Sequence, residues 1–125
     1  MQKSTILLFA LITIILGACS GSSTYRGKWK ATNETGTHSI IVFSENDLSF
    51  TENGQTEKFG YSQNSVNITN SVETYGIQLK DGRAFQIHFP ISDDESKGAI
   101  LDAKGRPVYI ISRTDYIGYE DVYGL

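Results

Sequence analysis

The side chains that stand out as chemistry-bearing are one cysteine, Cys19, two histidines, His38 and His88, and the acidic run Asp93-Asp94-Glu95. Two histidines make no zinc site without further ligands at suitable spacing. Ser92-Asp93-Asp94-Glu95-Ser96 offers the carboxylate oxygens that calcium takes. It lacks the alternation and the glycine of an EF-hand loop, however, and reads as a solvated acidic loop. His88 falls on the face of Ala84 and Gln86, opposite Phe85, Ile87 and Phe89, and reads as a solvated strand histidine. His38 opens a strand and reads as a rim residue. No G-x-S-x-G, H-E-x-x-H or P-loop occurs. The expectation is a non-enzymatic protein with no catalytic residues, no cofactor and no metal site. A lone cysteine at the end of an apolar leader also leaves the folded part without a disulfide.

Cys19 has a different chemistry because of what precedes it. Met1-Gln2-Lys3 is a short positive start, and Ile6 through Leu16 is apolar apart from Thr13. A spanning helix needs about 20 residues, so this run fits the core of a secretory signal instead. It ends in Leu16-Gly17-Ala18-Cys19, which resembles the lipobox of bacterial lipoproteins. Small side chains at Gly17 and Ala18 let an extended backbone enter a narrow protease site. The thiol is the one side chain of the segment able to accept lipid. The resemblance implies that Cys19 takes a diacylglycerol, that cleavage falls before it, and that the membrane is a partner through this anchor. Each buried methylene contributes about 0.8 kcal/mol, so two or three acyl chains hold essentially permanently.

The implied organisation is a signal peptide over 1–18, a lipidated cysteine with a flexible tether over 19–24, and a domain over 25–125. Ser20-Gly21-Ser22-Ser23-Thr24 has the composition of such a tether. By analogy with diderm sorting, the absence of Asp after Cys19 favours the outer membrane. A tether without acidic residues favours the side facing the periplasm.

From Tyr25 onward no helical period is sustained; short alternating runs are separated by turn signals. Strands are expected over Tyr25–Thr32, Ser39–Ser44, Asp47–Glu52, Thr56–Ser62, Ser65–Thr69, Thr74–Lys80, Arg83–Phe89, Gly98–Asp102 and Pro107–Arg113. Asn53-Gly54 and Asp81-Gly82 are the hairpin turns expected from composition, with a third turn around Lys104-Gly105. Pro90 ends its strand, since it cannot donate to the ladder. Sequential strands tend to be neighbours. The expected fold class is therefore all-β: an antiparallel meander of about eight strands, closed or nearly closed into a small barrel, which removes its edges.

Charge narrows the partners. The formal net charge is −3, and removing Lys3 with the leader makes it −4. A mildly acidic domain argues against nucleic acid and anionic lipid headgroups.

Gly27-Lys28-Trp29 resembles the G-x-W that opens the first strand of lipocalins and lipocalin-like domains. There the Trp closes the barrel floor and a basic residue just after the last strand packs over its ring. Arg113, following Tyr109-Ile110-Ile111-Ser112, stands where that resemblance places the basic residue. Gly27, Trp29 and Arg113 are thus implied to close the barrel, a structural role. The chain is more similar to the compact lipocalin-like domains of bacterial lipoproteins than to a full-length lipocalin. The tail from Asp115 carries Tyr116, Tyr119 and Tyr123, which are candidates for partner contact through a short helix or irregular strap. The leading functional expectation is an anchored binding or accessory module for a small apolar ligand or an envelope protein. The alternatives are a structural subunit of an envelope or secretion machine, docking through the tail, and an inhibitor-type lipoprotein.

Overall fold

Alternation with period two places successive side chains on opposite faces of a strand, and here one face of each strand carries most of the large apolar residues. In the computed structural model, which describes residues 21–124, that face turns inward around a closed barrel. The leader over 1–18, Cys19 and Ser20 lie outside the described residues. The strands are β1 (Gly27–Asn33), β2 (His38–Phe43), β3 (Asp47–Glu52), β4 (Gln55–Thr69), β5 (Val72–Leu79), β6 (Ala84–Phe89), β7 (Lys97–Leu101) and β8 (Pro107–Ser112). Each pairs antiparallel with the next, and β8 returns to β1 through pairs such as Ala31↔Ile111, closing the ring. The fold is the all-β meander expected, an eight-stranded barrel of lipocalin-like architecture. A short helix, α1 (Tyr119–Tyr123), follows. Among the described residues no helix is long and apolar enough to cross a membrane.

Two runs read separately in the sequence, Thr56–Ser62 and Ser65–Thr69, form the single long strand β4. The register against β5 shifts between Gln63 and Ser65, where Asn64 has no counterpart. One extra residue reverses the parity of everything after it. Before the bulge, Phe59 and Tyr61 lie on the inner face; after it, Val66 pairs with inward-facing Tyr75 and continues that face. The apolar residues change from odd to even numbers because the strand bulges, not because it ends.

Asn53-Gly54 has positive φ at both residues, 52° and 77°, as a two-residue type I′ turn requires. Asp81-Gly82 differs from the expectation. The Gly82 N–H donates to Leu79 O at 2.9 Å and the Leu79 N–H to Arg83 O at 2.8 Å, so the pair belongs to a wider loop. The turns after Asn33 and Asp102 repeat that pattern of bonds. All four of these turns lie at one end of the barrel.

The other end receives the chain. Gly21 to Thr24, expected to form a flexible tether, instead lie across the barrel. The Gly21 N–H donates to Glu45 O at 2.9 Å, and the Ser22 N–H to Gln63 Oε1 at 3.2 Å. Gly21 is buried, with the Tyr61 hydroxyl where a side chain would be. Small residues serve here for close packing rather than for freedom.

Candidate binding site

The interior divides into a floor and a cup. Tyr25, Trp29, Phe43, Tyr61, Tyr75 and Phe89 are all buried at the end where the chain enters. Their rings meet mostly edge-to-face, Tyr25 with Phe43 at 5.1 Å and with Tyr75 at 5.2 Å, a geometry aromatic quadrupoles favour. Each phenol oxygen still finds a partner. Tyr25 Oη donates to Gln63 Oε1 at 2.7 Å, Tyr61 Oη to Ser44 O at 2.7 Å, and Tyr75 Oη to Glu73 Oε1 at 2.6 Å. Burial raises the pKa of all three phenols above the usual tyrosine range.

The residues implied to close the barrel meet at this floor. The Trp29 Nε1–H donates to Tyr25 O at 2.9 Å. The Arg113 guanidinium carbon lies 3.8 Å from the Trp29 ring centroid. Its Nη2 donates to Thr24 O at 3.1 Å and its Nη1 to Lys28 O at 3.2 Å. Gly27 has φ 102°, a region L side chains rarely enter, and this lets β1 begin directly beneath that guanidinium. The three residues pack together at the floor.

Above the floor the barrel is hollow. A cavity of about 330 Å³ opens toward the end bearing the four turns. Its walls include Ile41, Leu48, Ile77, Leu79 and Ile100, with Phe59 and Phe85 nearer the rim. Phe50 and Tyr109 approach across the mouth, their ring centroids 5.7 Å apart. Eight strands enclose a space just wide enough to be filled by side chains or to hold one small ligand. In this chain the aromatic floor fills the end where the chain enters, and the aliphatic and aromatic residues above it leave the cavity between them. Sequence reading found these strands but not the void, because volume depends on which inward side chains share a layer.

The charged groups at the mouth are largely satisfied. Arg83 forms a bidentate contact with Asp81, Nη2 to Oδ2 at 2.8 Å, and lies over the Phe59 ring at 5.1 Å. Asp81 is correspondingly held below the usual carboxylate range, mainly by its bonds from Arg83. Glu57 also lines the cavity. Arg83, the cation among the cavity's lining residues, is therefore already paired, while burial raises the Tyr109 phenol pKa.

The remaining candidates are placed as follows. His38 is exposed at the rim, with Tyr116 stacked on it at 3.9 Å and nearly parallel. His88 differs from the solvated histidine expected: it is half-buried, and its Nδ1 lies 2.8 Å from Thr74 Oγ1. In the acidic loop, Asp94 accepts from the Ser96 N–H and hydroxyl, and Glu95 sits beside Glu73, which raises its pKa. Among the described residues no group of three or more His, Cys, Asp or Glu converges to hold a metal.

The tail lies on the barrel's own wall. Lys30 Nζ stands 5.3 Å from the Tyr116 centroid, and Val122 is buried against Ala99, Leu101 and Ile110 on the outer face. Tyr123 packs against the same cluster and stacks on Tyr119 at 4.6 Å. Of the three tail tyrosines, Tyr119 is the most exposed, at 44%. No family model, curated protein or solved structure matches the chain.

Proposed function

We propose that this chain is a lipid-anchored bacterial envelope protein whose barrel holds one small, uncharged apolar molecule, acting as a binding or accessory module rather than as an enzyme. The observation that carries this reading is the apolar cavity of about 330 Å³ behind Phe50 and Tyr109. That size is at the lower end of small-molecule sites, which are mostly apolar and few per protein. A ligand entering it exchanges water for aliphatic and aromatic walls, at about 25 cal/mol per Å² of apolar surface removed from water. With Arg83 already paired to Asp81, a neutral molecule suits the mouth better than a carboxylate.

The anchor belongs to the same reading. Acylation at Cys19 places the membrane at the floor end, where Gly21 bonds to the β2–β3 turn. The mouth then faces away from the bilayer, toward the periplasm if the outer membrane is the address. A ligand would be taken from solution or from a partner rather than directly from the supporting leaflet.

Two measurements test the two halves independently. For the pocket, the full chain is titrated with the neutral fluorophore N-phenyl-1-naphthylamine, alongside an Ile77→Trp variant that fills the cavity. One-to-one binding lost in the variant, with an unchanged circular dichroism spectrum, is expected. Equal binding by both proteins removes the pocket reading. For the anchor, mass analysis of the chain expressed in a diderm host is expected to show a diacylglyceryl-modified N-terminal Cys19. A free thiol, or a chain beginning at Met1, removes the anchor reading and leaves the pocket result intact.

A further inference from the structure

A closed barrel should leave no free strand edges, yet this one leaves part of an edge open. β3 pairs with β4 only as far as Asp47↔Gly60, after which the Tyr61 N–H donates to Asn46 O. Beyond Gln63, whose side chain meets Ser22, β4 runs on to Thr69 paired solely with β5 among the described residues. Alternate residues of an antiparallel strand direct both N–H and C=O to the same side, so among the described residues this stretch has backbone groups without partners at its outer edge. Val66 and Ile68 are exposed beside it, at 53% and 60%.

Natural edges are usually guarded by Lys, Pro or inward charges. Here Tyr61–Val72 contains no Asp, Glu, Lys, Arg, His or Pro, although the first part of the same strand carries Glu57 and Lys58. We infer that this edge is a self-association surface, on which a second copy of the chain pairs its own β4 antiparallel about a two-fold axis. The choice of occupant follows from charge. The acidic chain repels its own copies elsewhere, but a two-fold pairing of this segment opposes only neutral side chains. Centred on Asn67, the pairing puts Val66 opposite the partner's Ile68 and Ser65 opposite the partner's Thr69. Both apolar residues are thereby covered by the cross-strand contacts that stabilise sheets. Val66 and Ile68 share a face by the period-two alternation of the strand, and the bulge at Asn64 sets which face that is.

The test uses the full chain in mild detergent, with protein mass read by light scattering and symmetry read by disulfide trapping. Asn67→Cys is expected to form a disulfide-linked dimer at least about tenfold faster than Lys58→Cys on the same strand, because pairing raises the local thiol concentration. Wild type reports any contribution from Cys19. Ile68→Lys should abolish the dimer with an unchanged circular dichroism spectrum. The double variant Val66→Glu/Ile68→Lys, which sets opposite charges across the pairing, should restore it. A wild-type mass that stays monomeric at about 100 µM, or equal trapping rates at the two positions, overturns the proposal. So does a monomer that pellets with phosphatidylcholine vesicles through Val66 and Ile68, since the edge would then serve lipid.

Discussion

Arg113, one residue beyond the last strand, places its guanidinium 3.8 Å from the Trp29 ring while donating to the carbonyls of Thr24 and Lys28. One side chain thus fastens the end of the chain's meander to its beginning. Arg113→Ala removes a cation–π contact and leaves two carbonyls without a donor. The expected loss is about 2–3 kcal/mol of unfolding free energy. Urea denaturation would show it as a lower midpoint with an unchanged slope. Arg113→Lys should recover only part, since an ammonium on a flexible stem cannot span both carbonyls with the same planar fork.

Gly98 lies where two strands and a ring approach closely. A Cβ there would stand 2.8 Å from Phe89 Cδ1 and also meet the His88 carbonyl. The carbonyl belongs to the β6–β7 ladder and cannot move aside cheaply. Gly98→Ala is therefore expected to destabilise by about 1–3 kcal/mol through overpacking, and thermal unfolding would measure it. A variant as stable as wild type would show that the floor has slack the structure does not contain.

Ser39 provides the opposite case. It is 3% exposed on the inner face of β2, and its hydroxyl has no hydrogen-bond partner among the described residues. A buried unpaired hydroxyl loses its water without compensation. Ser39→Ala is expected to raise stability by about 1 kcal/mol. A loss of stability in chemical denaturation would mean that the hydroxyl is satisfied in solution.

His88 gives the fold a pH dependence of known sign. Burial lowers its pKa below the ordinary 6.5. Between the folded and unfolded pKa values the unfolded chain binds more protons, so stability rises with pH there. The contribution is fully present above pH 6.5, declines as pH falls below it, and is lost once the folded pKa is passed. His88→Gln should flatten this part of the stability profile. If the acid-side decline persists unchanged in that variant, other groups are responsible.

The strands, their order and the class of fold were legible in the residues because period two is a local property. Phe85, Ile87 and Phe89 declare an inner face whatever surrounds them, and Asn53-Gly54 declares a turn. Cys19 is a reading of the sequence alone, since lipid attachment is specified by a short run of side-chain sizes rather than by a fold. The bulge at Asn64, the burial of Gly21 and the stacking of Tyr116 on His38 depend on neighbours distant in the chain, which no local pattern reports. Above all, the division of the interior into an aromatic floor and an empty cup was decided by the tertiary structure. A void is set by how inward side chains from eight strands sum within each layer, and that sum exists only once the ring is closed.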